Sequence, residues 1–345
     1  MTLSELSESL RQKRDLQAED ISAAVVWLTK EESPEAEKIA FLRELSRKGE
    51  TAEEISEFAK QFLSRALVPQ IDLKSLGKPV LDNCGTGGDR LDLFNVSTTA
   101  AFVLAGGGVA VAKHGNRSIS SSSGGADVLE ALGVPFDLDP SVLAESLKRN
   151  GMGFLFAPKF HPAFKALAPV RRQLASEGVV TIFNILGPLL NPLQPEFQMI
   201  GLFRPEILAN YATTLSMLGR TRAWVFTGYT EDKQPMDELS LAGHNEIVQI
   251  SGTTIQQIET LSHPLAPAAT PNLRGGDATL NAEILVGILD GTITDAKRDM
   301  VLLNAAAGFH LCGLAPDLNQ GVERAKESIL SGAALAKLHA MQQLA

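Results

Sequence analysis

The chain has little cysteine, no excess of positive charge and no long apolar run. Two cysteines in 345 residues, Cys84 and Cys312, are too few for a disulfide scaffold or a cysteine metal site. Cys84 reads as a small buried spacer rather than a reactive thiol. Forty acidic against 31 basic residues leave a net charge of −9 and a pI near 5.3. That balance argues against nucleic-acid or anionic-membrane partners, because a phosphate surface demands a basic face. Any polyphosphate must be held by local cations, backbone amides and metal. Met1 to Asp20 is polar without an apolar signal core, and no uninterrupted apolar run is long enough to cross a bilayer, so a cytoplasmic chain with no membrane partner is expected. Neither GxGxxG with a following acidic residue nor GxxxxGK[ST] is present, so no dinucleotide fingerprint or P-loop is supported. His244, His263, His310 and His339 lack metal-ligand spacing.

Hydrophobic residues at 44% exclude a disordered protein. The length suits a large domain with a smaller companion. The first seventy residues carry only helical signals. Ser33-Pro34 reads as a cap followed by a first-turn proline, Gly49 as a helix stop, and Thr51 with Glu54 as a capping box. From Val80 onward, short apolar runs at 109–111, 154–156, 199–203, 223–227 and 247–250 alternate with helical patterns, and residues 277–345 are mainly helical. The expected fold is therefore α/β.

Three anion-binding devices follow one another between residues 82 and 133. Asp82-Asn83-Cys84-Gly85-Thr86-Gly87-Gly88-Asp89 follows the apolar pair Val80-Leu81, and its glycines let N–H groups close on an anion. Asn95-Val96-Ser97-Thr98 precedes an apolar helical stretch, so Ser97 or Thr98 is expected to cap a helix whose free N–H groups favour negative charge. Lys113-His114-Gly115-Asn116-Arg117 adds two cations ahead of a serine run. Together they describe a pocket for a phosphorylated sugar. Further along, Asp237-Glu238 places two carboxylates on one loop, while Asp92, Glu231 and Asp232 read as solvated charges.

These motifs, with Ala126-Asp127-Val128-Leu129-Glu130, His161-Pro162-Ala163, Val170-Arg171-Arg172 and Thr181-Ile182-Phe183-Asn184-Ile185-Leu186-Gly187-Pro188, resemble the anthranilate phosphoribosyltransferase family almost from end to end. The resemblance implies a large domain with a central, mostly parallel sheet flanked by helices (75–345) and a small all-helical domain (1–70, joined by about 161–190). It implies transfer of phosphoribosyl from phosphoribosyl pyrophosphate (PRPP) to the amine of anthranilate, in tryptophan synthesis, with Mg²⁺ and a homodimer through the helical domain. Carried over, Gly85, Gly88, Asp89, Asn95, Val96, Ser97, Thr98, Lys113, His114, Gly115, Asn116, Arg117, Ser120, Ser121 and Gly125 would meet PRPP. Gly85, His114, Asn116 and Arg171 would meet anthranilate, and Ser97, Asp237 and Glu238 the metal. No covalent nucleophile is implied. Arg171 suits a carboxylate because its planar fork pairs bidentately, whereas Arg172 is read as an interhelical salt-bridge partner and His161 as a structural hydrogen-bonding residue.

Three positions depart from the family pattern. Leu93 stands where a hydroxyl residue is usual. Gly125 replaces a serine, with Ser120 to Ser123 available to compensate. The link from Leu174 to Thr181 is longer than usual and has Val180 in the customary Arg place. Two alternatives follow: a phosphoribosyltransferase with another aromatic acceptor, or a non-catalytic nucleic-acid-binding paralogue.

Overall fold

The computed structural model describes residues 1–118, 122–259 and 261–344. Four helices open the chain: α1 (Leu3–Arg11), α2 (Ala18–Thr29), α3 (Glu35–Lys48) and α4 (Ala52–Leu63). Local chemistry sets most of their ends. Thr51 and Glu54 form the expected capping box on α4, and Gly49, at φ 86°, stops α3 with its N–H on the Leu45 carbonyl. The start of α3 differs from expectation. Pro34 itself flanks the helix at φ −58°, ψ 127°, which leaves Ser33 one residue too far back to cap, and its buried hydroxyl has no partner.

Strands and helices then alternate: β1 (Val80–Asn83), α5 (Val96–Gly106), β2 (Ala110–Gly115), α6 (Gly125–Ala131), α7 (Pro140–Asn150), β3 (Met152–Phe156), α8 (Ala157–Phe160), α9 (Ala168–Ser176), β4 (Phe197–Gly201), α10 (Leu208–Met217) and β5 (Arg222–Tyr229). The chain continues with β6 (Pro235–Met236), β7 (Asn245–Ser251), β8 (Thr254–Ile258), α11 (Ala278–Leu289), α12 (Ala296–Leu311), α13 (Leu318–Leu330) and α14 (Ala333–Gln342). The sheet runs β3-β2-β1-β4-β5-β7-β8, with β6 paired to β5. From β3 to β5 all pairs are parallel; β5 with β7, β7 with β8 and β5 with β6 are antiparallel. This is the expected α/β architecture with a mostly parallel sheet. Strands β6 and β8 escaped the pattern because one is two residues long and the other, Thr-Ile-Gln-Gln-Ile, lies exposed at the edge.

Side chains alternate across the sheet. Trp224 and Phe226 join the core under α5 and α11 to α14, while Ala223 and Val225 join the core on the opposite face. That second core also holds Leu6, Phe41, Phe58 and Phe62 from the N-terminal helices together with Leu167, Val170, Leu174 and Phe183 from mid-chain. Burial of each such side chain contributes about 1.5–3 kcal/mol. Polar ties add direction: Lys38 Nζ donates to the Lys30 carbonyl at 2.7 Å, and the Tyr211 hydroxyl to the Ile185 carbonyl at 2.7 Å.

Strand β1 has β2 on one side and β4 on the other, so the chain leaves it in opposite directions. At such a switch point, the crevice beyond the carboxyl ends of the strands is the natural ligand site in a parallel sheet.

Candidate active site

All the glycines of the first loop serve this crevice. After Asn83 the chain turns over the end of β4, where Thr86 donates its N–H to the Gly201 carbonyl at 2.9 Å. Gly87 and Gly88 take φ 67° and 95°, a region side chains rarely adopt. At Gly85 the constraint is space, since a Cβ would stand 2.4 Å from Asp237 Oδ2.

Asp237 and Glu238 reach the crevice because the chain folds back after β6 across the ends of β4 and β5. Two glycines permit the crossing: a Cβ on Gly201 would overlap the Asp237 carbonyl, and one on Gly228 the Glu238 carbonyl. Neither glycine was singled out in the sequence. Asn304 on α12 pins the next residue, accepting the Leu239 N–H and donating to its carbonyl, both at 3.1 Å. An asparagine inside an apolar helix is the signal that could have found it.

The two carboxylates face separate N–H donors. Asp237 Oδ2 accepts from Gly87 at 2.6 Å, and Glu238 Oε1 from Ser97 at 3.0 Å. Ser97 therefore sits in the first turn of α5, flanked by Asn95 at the N-cap position, and makes no side-chain cap; nor does Thr98. The helix begins at least two residues earlier than its hydroxyls suggested, and the first-turn N–H expected to await an anion is held by Glu238. Lys113 Nζ, nearly buried at the end of β2, donates to the Asn83 carbonyl at 2.8 Å and to Ser97 Oγ at 3.2 Å. Asp89 hydrogen-bonds Asp237. Burial, then the neighbouring Asp89 and Glu238 charges, push the Asp237 carboxyl well above its ordinary range. Burial likewise raises Glu238 to about 7, with Lys113 opposing the shift.

Such crowding of acidic groups calls for a cation. Among the described residues no three His, Cys, Asp or Glu side chains form a ready metal cage. Magnesium does not need one, since one or two carboxylates plus substrate phosphate oxygens suffice. Asp237, Glu238 and the Ser97 hydroxyl fit that pattern. Asn83, whose Oδ1 is buried and has no hydrogen-bond partner among the described residues, lines a cavity of about 10 Å³ together with Gly85, Ser97, Asp237 and Glu238, room for roughly one water.

Cys84 beside them is half-buried, and burial holds its thiol far above the usual range, so it is no nucleophile. Behind it lies Asp82, whose two oxygens accept from the His114 N–H at 3.1 Å and Asn191 Nδ2 at 2.9 Å. Burial raises Asp82 to about 6. Asn191 also donates to the Ala112 carbonyl at 2.8 Å, so the mid-chain segment is clamped to β1 and β2.

The second half of the site is a run of rings. His114 lies 5.5 Å from His161, His161 5.8 Å from Phe164, and Phe164 5.5 Å from Phe183, all edge-on. Arg171 on α9 closes the run, its guanidinium 5.6 Å from the Phe183 ring. Burial lowers the Arg171 pKa, and no carboxylate pairs with it among the described residues. Arg172 is exposed and makes no ion pair among those residues either, so its expected salt bridge is not formed. His161 Nε2 is bound to the Leu190 carbonyl at 2.7 Å, as a structural histidine would be. His114 Nδ1 meets the Gly187 carbonyl at 2.9 Å, which makes it the protonated nitrogen and leaves Nε2 a buried acceptor without a partner. Burial first, then His161, lower its pKa to about 3.

Several expected donor-site residues are used otherwise. Arg117 pairs with Asp127 and Glu130 at 2.9 and 2.7 Å and lies over Phe136, so it braces its loop instead of presenting a free cation. Asn116 accepts the Arg117 N–H at 2.7 Å. Gly115 packs where a Cβ would be 2.7 Å from the Phe154 ring, and Val96 is buried in the core. Gly125 opens α6, and a Cβ there would lie 3.3 Å from both Phe154 and Thr98 Oγ1, a tight fit for any larger residue. Ser120 and Ser121 lie outside the described residues. Ser122 donates to Asp92 at 3.0 Å, and Glu231 accepts from the Thr270 N–H and hydroxyl, so these two acids are engaged and not merely solvated. Leu93 bridges to Arg274 in place of offering a hydroxyl. The long link is pinned to α3 by the Arg43–Glu177 pair and by Ser46 Oγ on the Val180 carbonyl at 2.6 Å.

Comparison with known proteins extends over nearly the whole chain. The helical bundle domain of the glycosyl transferase family matches residues 4–66, and its a/b domain residues 77–335. The chain is 44% identical over 333 residues to the anthranilate phosphoribosyltransferase of Exiguobacterium sibiricum, covering 95% of this chain and 94% of the relative. It is 40% identical to that of Streptococcus mutans, with 99% of each covered. Among solved structures, the Thermus thermophilus enzyme superposes with a TM-score of 0.87 at 37% identity over 98% of both chains. The Saccharomyces cerevisiae enzyme in complex with PRPP and Mg gives 0.88 at 27% identity, over 98% of this chain and 96% of that one.

Proposed function

Because the chain belongs to the anthranilate phosphoribosyltransferase family of glycosyl transferases, we infer that it transfers the phosphoribosyl group of PRPP to the amine of anthranilate, releasing pyrophosphate, in L-tryptophan biosynthesis. The observation that carries this reading is the meeting of the Gly85–Gly88 loop, Ser97, Lys113 and the Asp237–Glu238 pair at the switch point of the sheet, next to a row of rings ending at Arg171.

Departure of pyrophosphate leaves positive character on the sugar and places negative charge on the leaving group, so positioning and charge balance matter more than a nucleophile. Lys113 and the N–H groups of Gly85 and Gly88, the loop glycines whose N–H groups are not given to Asp237, bind and orient the phosphates. Asp237, Glu238 and Ser97 would hold Mg²⁺, a reading supported by the structure of the yeast relative in complex with PRPP and Mg; bound there, the ion would neutralise charge on the leaving pyrophosphate. On the acceptor side, Arg171 offers its fork to the anthranilate carboxylate. The rings stack against the aromatic acid, and the free lone pair on His114 Nε2 accepts an N–H of its amine. Burial keeps His114 neutral, which preserves that lone pair.

The same reading makes residues 1–70 with about 161–190 one helical domain, supported by their shared core. It adds a cytoplasmic homodimer through that domain, which sedimentation equilibrium tests. Activity is tested by following anthranilate fluorescence with PRPP and excess magnesium. Loss that requires both donor and metal supports the assignment. Unchanged fluorescence with calorimetrically detectable PRPP binding keeps the donor site and assigns another aromatic acceptor, with the pinned 174–181 link as the element that selects it.

A further inference from the structure

Asn281 stands outside every motif read from the sequence, yet it is 1% exposed on α11 beside the donor side. Its Oδ1 accepts the Gly276 N–H at 2.9 Å, and its Nδ2 donates to the Gly276 carbonyl at 3.1 Å. This two-point clasp decides which way the amide faces. The remaining N–H donates to Asn95 Oδ1 at 2.9 Å, so Asn95 turns its own Nδ2 toward the Ser123 carbonyl at 3.2 Å. The approach is tight: a Cβ on Gly275 would stand 2.2 Å from Asn281 Oδ1 and 2.6 Å from Phe94 Cα.

We propose that Asn281 is a positioning residue for donor binding, which sets the amide of Asn95 and through it the Ser123 carbonyl, near the end of the loop that follows Lys113. The inference deepens the reading of this loop as part of the PRPP site and rests on it.

The side-chain amide makes it testable. Asn281→Asp keeps the size and the acceptor for the Gly276 N–H, but sets a carboxylate oxygen against both Asn95 Oδ1 and the Gly276 carbonyl. Turning the Asn95 amide to relieve that contact would bring its oxygen onto the Ser123 carbonyl, acceptor against acceptor. Asn281→Ala leaves Asn95 Oδ1 and both Gly276 backbone groups without this partner. PRPP binding with magnesium is measured calorimetrically on the full chain for both variants, alongside KM for each substrate. N281D weakens PRPP binding about tenfold, the scale of one hydrogen bond turned unfavourable, and N281A about threefold, with KM for anthranilate within about twofold. Wild-type donor affinity in folded variants, or equal losses for both substrates, overturns the proposal. If N281D does not fold, N281A decides by the same criterion. Failure of the wild type itself to bind PRPP removes the donor-site reading and this inference with it, and is distinguishable because it appears before any substitution.

Discussion

The two sides of the crevice that the proposed function assigns to donor and acceptor are built by different means. On the donor side the groups are backbone N–H donors, glycines and a lysine, gathered at strand ends within a few short motifs. The acceptor side is a file of rings from β2, the 161–167 turn and the 181–184 turn, ended by a cation from α9. Phosphate is bound by charge and by backbone geometry, which short motifs encode. An aromatic acid is bound by shape and by one fixed fork, which only packing can assemble. The difference teaches that the two halves should fail separately when mutated.

The largest effect is expected from Asp237→Ala combined with Glu238→Ala. Magnesium-dependent turnover should fall by roughly three orders of magnitude or more, as when the charge-balancing centre of a phosphate-leaving reaction is removed. Anthranilate binding measured by fluorescence should stay close to wild type; equal loss there would dissolve the division into two sides. Next, Arg171→Ala should raise KM for anthranilate about 30- to 100-fold, the worth of a charge-assisted fork, and leave KM for PRPP within about twofold. Arg171→Lys should recover only part, since a point charge cannot reproduce the fork. A rise confined to the PRPP KM would move Arg171 to the donor side.

A third test reads stability instead of turnover and concerns His114, which stands where the two halves meet. In the folded chain its pKa is lowered to about 3, whereas the unfolded chain takes up a proton near the ordinary value of 6.5. Acid therefore favours the unfolded state across that window, and the stabilising contribution is complete only above pH 6.5. Relative to His114→Gln, the wild type should lose up to ~1.4 kcal/mol per pH unit between pH 6.5 and about 3 in denaturant melts. Parallel curves for the two proteins would show that the imidazole titrates freely.

Legibility followed the same division. The strands at 109–111 and 223–227 were visible because parallel strands buried on both faces are unbroken apolar runs. Gly85, Lys113 and Asp237-Glu238 were visible because their spacing is local. Arg117 misled: it is a cation in a phosphate motif, but two acids on α6, ten and thirteen residues further along the chain, engage its charge. Ser97 was placed correctly near the carboxylates but not as a cap, because Asn95 already occupies the flanking position. Gly201, Gly228, Asn304 and Asn281 were not found. Each matters through a residue far away in the chain, and only Asn304, a polar residue in an apolar helix, is marked by its neighbours.

The amino-acid sequence by itself determined the α/β class, the helical start and the anion-binding loops, because hydrophobic period, capping residues and glycine positions act over a few residues. The tertiary structure alone decided that Asp237 and Glu238 lie across the ends of β4 and β5, and that His114 and Arg171 stand at the two ends of one row of rings. It also decided that Asn281 faces Asn95. These are contacts between segments separated by tens to hundreds of residues, and their geometry exists only once both faces of the sheet are packed.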